Sequence, residues 1–193
     1  MKWLLFVALA FVAGCHSTHI SGEDSAAATT WGPVNAGLRM AVWVMRSDTQ
    51  GHEAPQIHVG IENVGDSDVV LSLGSMFANG KTMHPLAVAL TITDGGGTIR
   101  ELQYDEPPVA GRVDDYLVAL RTGSTYTLRL PLNRYSSPVT NEHRLTLRPG
   151  HYRIEARFTG WDARSINADT TGVGLLNFWK GAVRSNVADL LFD

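Results

Sequence analysis

Residues 147–158 read Leu-Arg-Pro-Gly-His-Tyr-Arg-Ile-Glu-Ala-Arg-Phe, and this stretch decides the fold class of the 193-residue chain. The Pro149-Gly150 pair is a turn signal. After it, apolar and polar residues alternate strictly, which is the period of a β-strand with one buried face. The alternation predicts a strand with one face buried and the other exposed: the buried residues are Tyr152, Ile154, Ala156 and Phe158, and the exposed ones are Arg153, Glu155 and Arg157.

The same alternation recurs along the chain on both sides of this stretch. It is clearest in five segments, which are 38–44, 57–61, 69–73, 86–92 and 126–132. Turn-forming residues separate them, as in Asn63-Val-Gly-Asp-Ser-Asp68 and Asp94-Gly-Gly-Gly97. No segment of about 12 residues or more has the apolar stripe of a helix. We therefore predict an all-β domain, a β-sandwich of about nine or ten short antiparallel strands that ends with a strand from Trp179 to Phe192.

The stretch from Leu147 to Tyr152 resembles the penultimate strand of immunoglobulin-like and fibronectin III-like domains. This resemblance implies an immunoglobulin-like β-sandwich in which the Tyr152 hydroxyl bonds back to nearby backbone as a corner tyrosine. The approach to the last strand, residues 179–186, is similar to endings of exported bacterial sandwiches. Residues 160–177 form a longer insertion than a simple hairpin needs, so the pairing of the last two strands stays open.

Two further stretches, Glu62-Asn63-Val64-Gly65 and Gly150-His151-Tyr152, resemble BsuPI-type proteinase inhibitor domains. The shared pattern is a turn after a strand that ends in Asn, followed later by a Gly-x-Tyr strand. This resemblance implies protease inhibition as an alternative function. It identifies no inhibitory loop in this chain.

The first fifteen residues predict where the protein is located. Lys2 precedes an apolar run over residues 3–13, which at about 11 residues is too short to span a membrane and is typical of a secretory signal. The run ends in Val12-Ala13-Gly14-Cys15, which resembles the lipobox of bacterial lipoproteins. That resemblance implies cleavage before Cys15, acylation of the cysteine, and anchoring in the bacterial cell envelope. His16 after the cysteine favours the outer membrane if the source is diderm.

These observations divide the chain into three parts. Residues 1–14 are the predicted signal peptide, residues 15–35 a flexible tether rich in Ser, Thr, Ala and Gly, and residues 36–193 the β-sandwich domain. The 16 basic and 19 acidic residues give no concentrated positive charge, which argues against nucleic acid as a partner. Cys15 is the only cysteine, so with its thiol acylated the domain has no disulfide.

The sequence carries no recognisable catalytic, cofactor or metal motif. It has no Gly-x-Ser-x-Gly, Ser75 has only one flanking glycine, and no His-Glu-x-x-His occurs. His58 falls on the outward face of its strand, where we expect a solvated histidine. Asp66-Ser67-Asp68 and Asp114-Asp115 fit turns or solvated charge better than a calcium site. We predict a protein that is not an enzyme, with an envelope hydrolase assembled from distant residues as an alternative.

Trp161 and Trp179 bracket the long insertion and are the candidate binding residues if a surface of the domain is functional, because long ordered loops on sandwiches often carry binding. The alternative is that both pack in the core or at its rim, as large aromatic residues mostly do. The predicted function is therefore that of a lipid-anchored envelope protein whose sandwich binds another protein or a cell-wall glycan.

Overall fold

A computed structural model describes residues 30–45, 56–77, 80–105, 111–138, 145–161 and 177–192. The predicted signal peptide, Cys15 and residues 162–176 of the insertion lie outside the described residues. No helix within the described ranges has the length and apolar character needed to cross a membrane.

The described residues form eleven β-strands and one 3₁₀ turn at Leu132–Arg134, with no α-helix among them. The strands are β1 (Leu38–Met45), β2 (Gln56–Asn63), β3 (Val69–Phe77), β4 (Thr82–His84), β5 (Val88–Asp94), β6 (Ile99–Tyr104), β7 (Val113–Leu120), β8 (Thr125–Pro131), β9 (Tyr135–Ser136), β10 (Gly150–Gly160) and β11 (Gly181–Phe192). The short strands β4 and β9 account for the excess over the predicted nine or ten.

The strands form three antiparallel sheets with the orders β1-β2-β8, β11-β10-β5-β6-β9 and β4-β3-β7. One hydrophobic core lies between them and takes residues from all three. The predicted all-β sandwich is confirmed. Its decisive stretch becomes β10, in which Tyr152, Ile154, Ala156 and Phe158 are buried while Arg153 and Arg157 are exposed.

The pairing of the last two strands, open from sequence, is direct. β10 and β11 form an antiparallel pair that runs from Gly150 opposite Phe192 to Gly160 opposite Gly181. The predicted hydrogen bond of Tyr152 is also present, since its hydroxyl donates to the carbonyl oxygen of Arg148 at 2.8 Å. The turn before β10 is thus tied to the strand it introduces.

A β-bulge in β11 places a side chain that connects two of the sheets. The register between β10 and β11 shifts after Glu155, and Ser185 accepts a hydrogen bond from the Ala156 amide within the shift. Bulges re-aim side chains, and here the Asn186 amide reaches β1. Its Oδ1 accepts from the Val42 amide at 2.7 Å and its Nδ2 donates to the Val42 carbonyl at 3.1 Å. One side chain therefore acts as a strand neighbour to β1.

Residues 30–36, which span the end of the predicted tether and the first residue of the predicted domain, are hydrogen-bonded to the rest of the domain. The Gly32 amide donates to Met40 at 2.8 Å, the Asn35 side chain donates to Ala182 at 2.6 Å, and the Trp179 indole donates to the Ala36 carbonyl at 2.8 Å. The composition of this segment suggested flexibility, but its backbone and side chains are bound to β1, to β11 and to Trp179, two residues before β11.

Candidate functional site

A cavity of about 230 Å³ opens beside β8. We call it the tyrosine pocket, and its lining residues are Met83, Pro85, Tyr104, Tyr116, Tyr126, Thr127, Leu128 and Arg129. They come from β4 and the residue after it, from β6, β7 and β8, so all three sheets contribute. The cavity is smaller than the roughly 300–1,000 Å³ of most small-molecule sites. It is therefore of the size for one side chain or one small ring.

Strand geometry explains why the pocket lies beside β8. Among the described strands, β8 lies at the edge of its sheet and pairs with β2 along one side. β7 and β8 run from the turn at 121–124 into different sheets, because β7 pairs with β3. Two strands that separate after a turn leave a gap between them. Residues 126–129 of β8 line that gap with four consecutive positions.

Two hydroxyl groups meet across the gap. The Tyr116 and Tyr126 hydroxyl oxygens lie 2.6 Å apart, so one donates to the other. Burial raises the pKa of Tyr116, and the hydrogen bond to Tyr126 raises it further. Burial also raises the pKa of Tyr104, against the opposing effect of Arg134. Both phenols are consequently neutral near pH 7 and act as hydrogen-bonding groups, not as bases.

A row of perpendicular aromatic contacts supports one wall of the pocket. The ring centroids of Phe77 and His84 are 4.7 Å apart, those of His84 and Tyr104 5.6 Å, and those of Tyr104 and Tyr135 5.2 Å. Tyr135 is fully buried and donates from its hydroxyl to the Val88 carbonyl at 3.2 Å. Edge-to-face packing of this kind favours fixed ring positions, so the Tyr104 wall is held from behind.

The sheet β4-β3-β7 brings together a serine, a histidine and an aspartate, the residue types of a catalytic triad. His84 and Asp115 lie directly opposite Ser75 on its two sides. A catalytic triad needs the histidine between serine and carboxylate, whereas here the serine strand lies in the middle. The His84 and Asp115 backbones are therefore about 10 Å apart, two strand spacings. Ser75 and His84 are also only 2% and 4% exposed. This row therefore lacks the order of a catalytic triad.

The predicted binding residues have packing roles in the structure. Trp179 is 5% exposed and stacks on Phe158 with centroids 5.5 Å apart, which is the core packing that the sequence offered as the alternative to binding. Its ring also packs against Gly160, where an added Cβ would come within 2.5 Å of it. Trp161 is half-buried and packs against the core. The loop between these tryptophans lies beyond the described residues.

The expectation that His58 is solvated is wrong. Its side chain is on the outward face, as alternation indicated, but the residue is only 6% exposed because Trp43 on β1 lies opposite it, with ring centroids 5.6 Å apart. Burial and the nearby Arg129 charge lower the pKa of His58. Its Nε2 atom has no hydrogen-bond partner among the described residues. His58 is thus a neutral packing residue near pH 7.

Trp31 and Trp43 lie side by side on the outer face of the β1-β2-β8 sheet, around Gly60. A Cβ built on Gly60 would lie 3.4 Å from the Trp31 ring and 3.2 Å from the Trp43 ring, so the glycine provides the space for both. Arg39 lies 4.8 Å from the centre of the Trp31 ring and forms an ion pair with Glu62 at 2.7 Å. These contacts hold the segment before β1 on the sheet.

Sequence reasoning missed the tyrosine pocket. The sign of it in the sequence is the clustering of tyrosines, since four of the five lie between residues 104 and 135. Within the described residues, no group of three or more His, Cys, Asp or Glu side chains could hold a metal ion. No protein-family model, no curated protein and no solved structure matches this chain. The resemblances noted from the sequence therefore stay predictions, and the case for function depends on the residues themselves.

Proposed function

We propose that this chain is a lipid-anchored, non-enzymatic binding protein of a bacterial cell envelope, and that the tyrosine pocket receives one side chain of a partner protein. The observation that carries the proposal is the pocket: a cavity of about 230 Å³ with a supported aromatic wall and Arg129 at its mouth. Small, well-packed pockets that accept an anchor residue are the usual centres of binding energy in protein interfaces.

The lining supports binding over catalysis. It carries no carboxylate, histidine or serine among its residues. Its Tyr116 hydroxyl keeps its proton near pH 7, because burial raises the pKa of that group. General bases need a pKa near the working pH. The polar groups of the pocket are suited to orient a ligand by hydrogen bonding.

The lining also favours a protein over a cell-wall glycan. Met83, Pro85 and Leu128 give it an apolar part, and the tyrosines add aromatic faces and hydroxyl groups. Tyrosine combines apolar area with a polar tip and is enriched where proteins meet. A glycan chain would need a longer groove with more hydrogen-bonding groups than this cavity provides.

The anchor part of the proposal is supported by Val12-Ala13-Gly14-Cys15, and His16 favours the outer membrane in a diderm source. We expect Cys15→Ser to abolish labelling by a fatty-acid probe and to release the protein from the membrane fraction, since two or more acyl chains give stable anchoring. Ser17→Ala serves as the control. A Cys15→Ser variant that stays as membrane-bound as the parent would contradict the anchor.

The pocket part is tested by filling the cavity. Met83 is 47% exposed at the mouth, so Met83→Trp adds volume there with little effect on folding. Met45→Trp, at a residue 39% exposed on β1, is the matched control. Full-length parent and both variants are cross-linked in intact envelopes. We expect a defined protein adduct that Met83→Trp loses and Met45→Trp keeps. Adducts that survive Met83→Trp, or that cell-wall glycan fragments compete away, would overturn the proposal.

A further inference from the structure

Among the described strands, β8 has one edge without a neighbour, and this edge indicates the conformation that a bound partner segment would adopt. β8 (Thr125–Pro131) pairs with β2 from Glu62 opposite Thr125 to Gln56 opposite Pro131. Within the described ranges its other edge has no strand neighbour. In an antiparallel pair alternate residues direct their amide and carbonyl groups away from the partner strand. β8 therefore presents a row of backbone donors and acceptors on the same side as the tyrosine pocket.

We propose that an extended peptide segment of a partner protein adds to β8 as a further strand and places one aromatic side chain in the tyrosine pocket. This inference rests on the proposed function and names the partner's binding segment. Strand addition gains affinity from main-chain hydrogen bonds and specificity from pockets that take alternate side chains. Strand addition needs a strand edge and a side-chain pocket close together. Residues 126–129 of β8 provide both.

The two faces of β8 indicate which side chains the peptide should have at alternate positions. Tyr126 and Leu128 point to the core side, where the pocket lies, and Thr127 and Arg129 point outward. Directly opposed residues on paired strands share a face. A peptide residue opposite the core-side positions therefore enters the pocket, where the Tyr104 and Tyr116 rings and the Met83 sulfur suit an aromatic ring.

The neighbouring peptide residue lies on the outward face, within reach of Arg129. Arg129 is exposed, and His58, opposite it on β2, is neutral near pH 7 because its pKa is lowered. An acidic side chain at that peptide position gains a charge-assisted hydrogen bond from the guanidinium. The expected motif is an aromatic residue directly flanked by Asp or Glu, in a segment that otherwise alternates.

Selection from a displayed peptide library tests the motif without a known partner. Detergent-solubilised full-length protein is the bait, and random peptides of about seven residues, the length of β8, are the probes. Peptides that bind the Met83→Trp variant as well as they bind the parent protein are discarded. The Met45→Trp variant is the control bait, and it should retain the selected peptides. We expect enrichment of an aromatic residue next to Asp or Glu. Enrichment without an aromatic residue, or no enrichment over Met83→Trp, overturns the proposal.

Two measurements on an enriched peptide separate strand addition from pocket filling. Replacing its aromatic residue with Ala tests the pocket, and N-methylating alternate backbone amides tests the ladder. We expect each change to weaken binding about tenfold or more, and the parent peptide to slow hydrogen exchange of β8 amides. If N-methylation in both registers has no effect, strand addition is wrong but the pocket function stands. If the Ala peptide binds equally, the pocket function fails too.

The charge contact and the alternative occupant have their own tests. Arg129→Gln should weaken binding of an acidic peptide about tenfold and reduce its salt dependence, whereas Arg153→Gln, at an exposed position on β10, should leave both unchanged. Equal effects of the two variants contradict the role of Arg129.

Sedimentation decides whether a second copy of this chain is the occupant. A dimer that Met83→Trp dissociates would overturn the peptide proposal.

Discussion

The hydroxyl groups of Tyr116 on β7 and Tyr126 on β8 are hydrogen-bonded to each other at 2.6 Å, although the two strands belong to different sheets. The contact lies where β7 and β8 separate after their turn, and it closes the inner end of the gap that becomes the tyrosine pocket. The shape of the pocket and the attachment of two sheets therefore depend on the same pair of side chains.

This pair should show energetic coupling. We expect Tyr116→Phe and Tyr126→Phe each to lower the free energy of unfolding by about 1 kcal/mol. Each substitution leaves the other hydroxyl, in a part-buried position, without its hydrogen-bond partner. The double variant should cost less than the two single variants combined, because it removes both hydroxyls together. Urea unfolding of the four proteins measures this. Additive losses would show that the hydroxyls act independently.

Stability should fall in strong base because of the tyrosines. Burial raises the pKa of Tyr104, Tyr116 and Tyr135 in the folded protein. The unfolded chain releases these protons near pH 10, so above that pH the folded state binds more protons and is destabilised as pH rises.

Urea unfolding from neutral pH to about pH 11 measures this loss, and tyrosinate absorbance of the native protein provides the control. Titration of all five tyrosines near pH 10 without unfolding would contradict the burial effect.

The link between β11 and β1 should depend on one amide group. Asn186→Ala leaves the buried Val42 amide and carbonyl without their partners, so we expect a loss of about 2–4 kcal/mol in unfolding free energy. Asp189→Ala, an exposed position on the same strand, should change it by less than about 0.5 kcal/mol. Equal effects of the two variants in thermal and urea unfolding would mean that Asn186 does not join the sheets.

The segment before β1 should detach when Gly32 gains a side chain. A Cβ at this position would lie 2.3 Å from the Arg184 carbonyl oxygen and 2.5 Å from the Ser185 carbonyl carbon, and backbone atoms of a paired strand cannot move aside. We expect Gly32→Ala to speed hydrogen exchange of the Asn35 amide and proteolysis near residue 32. Val34→Ala, at a residue 59% exposed, should do neither. Unchanged exchange in Gly32→Ala would show that the segment tolerates displacement.

The sequence predicted the fold class because the decisive information is local. Alternation in Tyr152–Phe158 depends only on the two-residue period of a strand, and the Tyr152 hydrogen bond spans four residues. The bridge from Asn186 to Val42 spans 144 positions. An asparagine carries nothing that specifies such a distant partner, so sheet order and the bridge had to come from the structure.

The candidate site was harder to predict for a related reason. Tyr104, Tyr116 and Tyr126 lie on different strands, and alternation indicates only that such residues are partly buried, not that they meet. His58 shows the reverse error. Its place on the outward face suggested exposure, but Trp43 covers it.

The attachment of residues 30–36 also determines how the domain bears mechanical force. A pull on the chain at Thr30 passes into β1 through Gly32, into β11 through Asn35, and into the core through the bond from Trp179 to Ala36. β8 is at the other edge of the β1-β2-β8 sheet, about 10 Å from β1 across two strand spacings. None of these hydrogen bonds involves β8, so we expect tension on the N-terminal segment to load β1 and β11 before it reaches the tyrosine pocket.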